Sequence, residues 1–380
     1  KRQVMNILVL IDSFKGSLSS LEAGEIIKKA CEQDPSNKVI VKPVADGGEG
    51  TIDSLKDIKN AKIVEVDVHN PLMEHHTARY LIVDDKLAIM EMSESSGLTL
   101  IKDNLDPMNA TTFGVGDMIK DALDKNIREF IIGIGGSATT DGGMGMLRSL
   151  GARFFDEDGI EISNGPIGII DLETIDLDNF DVRLKECTFQ IACDVDNPLC
   201  GERGSARVFA PQKGASPKQV EELDKLLGKY HEVTKKVIPD ANDTIEGAGA
   251  AGGLGYALKN YLNAELKPGI EIILEMLGAD ELIKNSDLII TGEGKMDFQT
   301  SMGKTPVGIA NAAKKYNKKV IAFCGVCDND AVSVNDRGID AFFPILNKCM
   351  STNEAMDKKV SEENLYRSVD QVMKLINLWR

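Results

Sequence analysis

The chain has 380 residues, 42% of them hydrophobic, which is ample for folded interiors but too long for one comfortable core, so two or three domains are expected. Sixty acidic against 44 basic residues leave a net charge of −16, which argues against a general nucleic-acid binder or a protein of anionic membrane surfaces. No apolar run reaches about eighteen residues and the N-terminus enters a strand almost at once, so neither a membrane span nor a signal peptide is expected.

In chain order, 6–11 (NILVLI) is a continuous apolar run of the buried parallel-strand type, and 19–31 carries Leu21, Ile26, Ile27 and Ala30 at helical spacing. A short strand at 39–41 and a helix at 49–58 complete a βαβα opening, which predicts a parallel sheet. The texture then changes. Segments 63–67, 77–83 and 86–92 are β-rich, with Asp84 and Asp85 as a tight turn, and read as an antiparallel meander. A helix at 112–125, a strand at 130–132, a helix-competent segment at 144–150, a loop-rich region at 155–185, a strand at 188–193 and a long amphipathic helix at 217–237 follow. From 287 the doubly wound pattern returns, with strands at 288–290, 320–323 and 341–343, a helix at 304–316 and a final helix at 362–379. The fold class expected is α/β with two domains: a flavodoxin-like five-stranded parallel-sheet domain made of 1–62 plus 286–380, and an inserted mixed-sheet α/β domain, 63–285. The seven cysteines are scattered; Cys324 and Cys327 form a CxxC with no second pair, so buried thiols in a reducing cytoplasm are expected in place of zinc or redox chemistry. Four histidines give no metal-ligand spacing.

The chemistry-bearing stretches fall at strand ends. Residues 133–145, GIGGSATTDGGMG, set six glycines, a serine, two threonines and an aspartate between a strand and a helix. Glycines let backbone N–H groups approach an anion and a helix start adds an oriented dipole, so the stretch reads as a phosphate cradle, with a tight strand-to-helix turn as the structural alternative. DSFKGS (12–17) ends the first strand, where open α/β sheets bind ligands. It offers Lys15 as a mobile charge and Asp12, Ser13 and Ser17 as hydrogen-bonding groups, although Ser17 or Ser19 could cap the next helix. ADGGEGT (45–51) offers Asp46 and Glu49 to a substrate hydroxyl or a metal-bound water, or is an ordinary Asx turn. In CDVDNPLCG (193–201), Asp194 and Asp196 could share a hydrated Mg²⁺ or one could act as a base; Lys213 in PQKG (211–214) is a candidate phosphate ligand; solvated loop charges are the alternative for each. GAGAAGGLG (247–255) suits phosphate approach or close helix packing. TGEGKMD (291–297) brings Glu293, Lys295 and Asp297 to the sheet edge of Lys15 and Asp46, and Gly303, Lys304 and Thr305 open a helix in an order that suits a phosphate. With no Ser/His/Asp set and no GxGxxG in the first βαβ, the inventory fits phosphoryl transfer better than hydride transfer.

These stretches, in this order from Asp12 to Lys304, resemble the glycerate kinase family of the type found in bacterial glycerate and glucarate breakdown. The resemblance implies ATP- and Mg²⁺-dependent phosphorylation of D-glycerate to 2-phosphoglycerate, and two α/β domains with the active site in the cleft between them. Thr140, Ile11, Ala210, Lys295 and Met296 depart from the residues usual in that pattern, and none of them removes a charge. The site expected has Asp194, Lys15 and Asp297 as catalytic groups, Asp194 being the base or orienter of the acceptor hydroxyl. Ser13, Ser17, Asp46, Gly135, Gly136, Ser137, Lys213, Glu293, Lys295 and Lys304 bind substrate or nucleotide, and Asp46, Glu49 or Asp141 hold Mg²⁺ through water. The stretch 93–96 is expected to line the acceptor pocket. A cytoplasmic enzyme acting on D-glycerate and ATP is expected, monomeric or homodimeric, with no nucleic-acid or membrane partner. A kinase for a related hydroxy or sugar acid, 3-phosphorylation of glycerate, and a non-catalytic nucleotide- or acid-sensing module are the competing readings.

Overall fold

The computed structural model describes residues 4–297, 300 and 304–378, so Gly303 and the expected helix end at Trp379 lie outside the described residues. Its strands are β1 (Met5–Ile11), β2 (Asn37–Pro43), β3 (Ala61–His69), β4 (His75–Val83), β5 (Leu87–Glu91), β6 (Glu129–Gly133), β7 (Arg153–Phe155), β8 (Thr174–Asp176), β9 (Thr188–Ala192), β10 (Glu265–Lys267), β11 (Leu288–Met296), β12 (Lys319–Cys327) and β13 (Ala341–Pro344). The chain divides into two compact units. The first comprises Lys1–Asp46, Asp53–Ile58 and Pro268–Arg380; the second comprises Gly47–Ile52 and Lys59–Lys267.

The first unit is built on a parallel sheet in the order β2-β1-β11-β12-β13, the strand order of a flavodoxin-like fold. Both faces of β1 are covered, which is why its sequence is apolar without alternation. Ile7, Val9 and Ile11 pack with Ala23, Ile27 and Ala30 of the helix Ser20–Cys31 and with Leu365, Val369 and Met373 of the helix Lys358–Asn377. Leu8 and Leu10 are equally buried on the other face. Ser19 closes a capping box with Glu22, so this serine is a helix cap. Because all five strands run the same way, their carboxyl ends share one edge, and the direction of winding reverses between β1 and β11.

The second unit carries a six-stranded mixed sheet, β10-β9-β6-β5-β4-β3, and the small antiparallel pair β7-β8. The meander β3-β4-β5 is antiparallel, turning at Asp84 and Asp85 with φ of 53° and 54°, and β5, β6, β9 and β10 are parallel. Phe130 and Phe189 stack across β6 and β9 with ring centroids 4.7 Å apart. The helix Pro217–Val237 starts from a Ser216–Gln219 capping box and buries Leu223, Leu226, Leu227, Tyr230 and Val233.

Several elements differ from the sequence reading. The helix expected from residue 49 is Thr51–Leu55, because Gly47 and Gly50 take φ of 79° and 94° and hold the preceding residues in a turn. The strand expected at 288–290 continues as β11 through TGEGKM, paired to β12 as far as Met296 opposite Cys327, so Glu293 and Lys295 are strand residues. Cys324 and Cys327 are joined in a disulfide, in place of the buried thiols expected. The strand β10 and the helices Ser205–Phe209, Gly269–Met276 and Ala279–Lys284 are too short to show a clear period in sequence. Among the described residues no helix is long and apolar enough to cross a membrane.

Candidate active site

In the second unit the carboxyl ends of β5, β6, β9 and β10 lie side by side, with Glu91 opposite Gly133 and Gly133 opposite Ala192. The glycine-rich stretch leaves β6 at this edge. A Cβ on Gly133 would overlap the carbonyl oxygen of Gly47, so the turn of ADGGEGT lies directly on the end of β6 and two of the predicted motifs meet. Beyond it Gly135 and Gly136 are exposed, Gly136 at φ 73°, flanked by the Ser93 side chain and the Glu49 carboxylate. The turn is fixed by Leu98 N–H donating to Gly136 O at 2.8 Å and Ala138 N–H to Ser96 O at 3.0 Å. Ser93, Ser95 and Ser96 are buried in the short helix Ser93–Ser96, so this stretch supports the turn from behind.

Two charged residues predicted to face ligand are internal. Asp141 is fully buried and accepts from Thr112 N–H at 2.8 Å, Gly143 N–H and Gly145 N–H at 3.1 Å, Thr111 Oγ1 at 3.2 Å and Thr112 Oγ1 at 2.9 Å. Its lone pairs are committed to folding the turn, which removes it as a Mg²⁺ candidate. Lys213 is 2% exposed; its ammonium donates to Thr139 O and, at 3.4 Å, to Ser137 Oγ, so it stands behind the cradle and cannot touch a phosphate in front of it. Burial pushes its pKa down to about 7, against a smaller opposing effect of Asp141. Ser137 Oγ also accepts from Thr139 N–H at 3.1 Å and lies 3.0 Å from Thr139 Oγ1, so its hydroxyl belongs to the same buried network.

The 247–255 stretch resolves to packing. Ala251, Gly252 and Gly253 are all left-handed, and a Cβ on Gly252 would overlap Thr139 O, while Gly142 N–H donates to Gly252 O at 2.9 Å. The two glycine stretches therefore interlock backbone to backbone. Asp194 is exposed, two residues past β9 on the same edge as the cradle, and Asp196 pairs with Arg203 at 2.7 Å, which draws it away from a shared metal. A residue the motifs did not single out is Glu91, buried at the end of β5. It accepts from Gly50 N–H at 3.0 Å, Ile52 N–H at 2.6 Å and Ser93 Oγ at 3.3 Å, and burial raises its pKa in spite of these bonds. The signal was the charge inside an otherwise apolar strand. A concavity of about 1080 Å³ opens at the other end of this sheet, near Glu129, Thr188 and Phe189, away from the cradle.

In the first unit the strand edge gathers carboxylates and lysines. Buried Phe14 and Leu18 close the 12–17 turn through Phe14 N–H to Leu18 O at 2.9 Å, lifting Lys15 and Gly16 to the surface. Asp12 sits at the switch point beside β11, with Asp12 N–H on Gly292 O; its carboxylate accepts from Ser13 N–H at 2.6 Å and Thr305 Oγ1 at 3.1 Å. Burial first, then the charge of Asp46, pushes its pKa up to about 6. Glu293 accepts from Thr300 Oγ1 at 2.5 Å and is pushed up to about 7, mainly by burial, with Asp12 and Asp297 adding and Lys304 opposing. Lys295 is exposed and pairs with Asp328 at 2.8 Å and Asp297 at 3.5 Å. Ser17 donates to Ser361 Oγ at 2.5 Å, an internal bond. Ser13, Asp46, Asp297 and Lys304 are each half-buried along this edge. Among the described residues no three His, Cys, Asp or Glu side chains converge as metal ligands.

A model of the glycerate kinase family matches residues 7–377. The chain belongs to the glycerate kinase family. It is 44% identical over 354 residues to the glycerate 2-kinase of Escherichia coli K12, covering 92% of this chain and 93% of that protein. It is 43% identical over 356 residues to the glycerate kinase of Bacillus subtilis 168, covering 93% of each. A crystal structure from Salmonella typhimurium LT2, described as a glycerate kinase 2, superposes with a TM-score of 0.90 at 38% identity over 99% of both chains. The protein is thus a kinase, as the motif order implied. Of the five positions that depart from the usual pattern, Ile11, Thr140, Ala210 and Met296 are fully buried, and Lys295 alone reaches solvent.

Proposed function

We propose that this kinase transfers the γ-phosphoryl group of ATP to the 2-hydroxyl of D-glycerate, giving 2-phospho-D-glycerate and ADP. The observation that carries the reading is the 44% identity, across nearly the whole of both chains, to a protein named for phosphorylation at that hydroxyl. The exposed Gly135–Gly136 backbone offers amide donors to an anionic oxygen, and Lys15 and Lys295 offer mobile positive charge, which is the positioning and charge stabilisation that a loose phosphoryl-transfer transition state requires. Asp194 orients the acceptor hydroxyl and takes its proton as the new O–P bond forms. Asp46, with Asp12 beside it and Glu49, supplies the hard oxygen donors that suit Mg²⁺, whose chemistry is to neutralise phosphate charge. A cytoplasmic setting goes with ATP as donor.

One observation favours a second candidate for the base. Glu293, half-buried at the switch point and titrating at about 7, is poised nearer to neutral pH than an ordinary carboxylate. A phosphorus NMR spectrum of the protein with ATP, Mg²⁺ and D-glycerate tests the proposal. A 2-phosphoglycerate signal is expected; a 3-phosphoglycerate signal would overturn the regiochemistry, and ADP appearing only with another hydroxy acid would overturn the substrate.

A further inference from the structure

Lys213 is a buried cation that the reaction does not use directly. It lies at the end of the short turn Pro211–Lys213, and a neutral apolar side chain would fill its place at far lower desolvation cost. Its bonds go to Thr139 O and Ser137 Oγ, the inner side of the stretch whose outer side is the exposed Gly135–Gly136 backbone. Asp141, on the same stretch, is the charge whose field reaches it, yet the Asp141 oxygens are taken by Thr111, Thr112, Gly143 and Gly145. Tyr230, from the helix Pro217–Val237, faces Asp141 and is kept neutral by burial.

We propose that Lys213 is a positioning residue that couples anion binding in front of the glycine turn to charge behind it: an anionic oxygen of phosphate or carboxylate docking at Gly135–Gly136 draws a proton from solvent onto the neutral Lys213 amine, converting it to the ammonium. This deepens, and rests on, the reading of the turn as an anion cradle. The physical reason is reciprocity. A buried group bonded to the same stretch of chain feels the ligand's charge with less screening than a group in solvent, so the anion favours the protonated lysine and the protonated lysine favours the anion. With its pKa near 7, Lys213 is mostly neutral at pH 8 in the free enzyme, which leaves room for uptake. A rise of about one pKa unit on binding would take up about 0.4 proton there, and a rise of about two units about 0.8.

The test is calorimetric titration of the full-length protein at pH 8 in buffers of different ionisation enthalpy, with inorganic phosphate, ADP and D-glycerate as separate ligands. At least one ligand is expected to bind with net proton uptake by wild type, and that uptake is expected to vanish in Lys213→Met and in Lys213→Gln, the second of which keeps a donor without titrating. Both variants are expected to weaken the same ligand at pH 8, by about twofold for a one-unit rise and about tenfold for a two-unit rise. Loss with phosphate and ADP seats the phosphoryl groups on the turn; loss with D-glycerate alone seats the carboxylate there. Uptake that is absent from wild type, or that persists in a folded variant, overturns the proposal. Turnover of ATP and D-glycerate by wild type is measured alongside: if it is absent, the catalytic reading fails while proton-linked binding of inorganic phosphate is still decided on its own.

Discussion

At the strand edge of the second unit, charge is spent inward. Asp141 receives backbone and hydroxyl donors from two segments, Glu91 anchors the N–H groups of Gly50 and Ile52, and Lys213 props Thr139, so that at the turn itself glycine backbone reaches solvent, with Glu49 and Asp194 as exposed acids beside it. At the strand edge of the first unit, charge is left outward or strained: Lys15 and Lys295 are exposed, and Asp12 and Glu293 are pushed up to about 6 and about 7 by burial beside other carboxylates. One edge is a shaped surface whose buried acids, Asp141 and Glu91, are held by several donors; the other has buried acids, Asp12 and Glu293, whose protonation is unsettled near neutral pH. Similar strand-end motifs thus divide into scaffold and chemistry according to how many donors each acid has already received.

The largest break of this contrast is Gly133→Ala. Its Cβ has nowhere to go against Gly47 O, so we expect a loss of about 4 kcal/mol or more, seen as failure to give soluble protein or a collapse in Tm. Next in size are the two candidate bases. Asp194→Asn should lower kcat by about 10²–10⁴ with Tm unchanged, while Glu293→Gln, if that residue takes the proton, should lower kcat similarly and erase the acid limb of the rate profile near pH 7. Steady-state kinetics across pH 5.5 to 8.5 on both variants assigns the role, since a variant with near wild-type kcat loses it.

A smaller effect concerns stability. Asp12 and Glu293 have raised native pKa values, so between about pH 4 and their native pKa values the folded state holds protons that the unfolded state has released, and stability falls as pH rises through that window. The Tm difference between Glu293→Gln and wild type should therefore grow by a few degrees from pH 5 to 7.5 and then level off. Lys213 acts in the opposite sense above about pH 7, where its lowered pKa makes stability rise with pH until the unfolded lysine also deprotonates; Lys213→Met should remove that rise. The smallest change is expected of Asp328→Asn, which breaks a solvent-exposed pair with Lys295 and should move stability by no more than about 0.5 kcal/mol.

Much of the architecture was legible because apolar patterning is a local property. The run 6–11 announced a strand covered on both faces, Pro217 to Val237 announced an amphipathic helix, and the Asp84–Asp85 turn announced a hairpin. The site was legible as motifs and less so as roles. The strand expected at 288–290 runs on to Met296, because pairing with β12, a long-range contact, carries it there. Glu91 went unnoticed because its partners, Gly50 and Ile52, come from some forty residues upstream.

The sequence by itself determined the order of elements, the family and the reaction class, since these rest on periodicity and on the order of short motifs. Tertiary structure alone decided which of the polar residues work for the fold. Asp141 and Asp194 look alike as aspartates in glycine- or turn-rich stretches, as do Lys213 and Lys15, yet one of each pair is sealed inside and the other is exposed. The reason is that desolvation and hydrogen-bond saturation are set by neighbours distant in the chain: Thr111 and Thr112 for Asp141, Ser137 and Thr139 for Lys213.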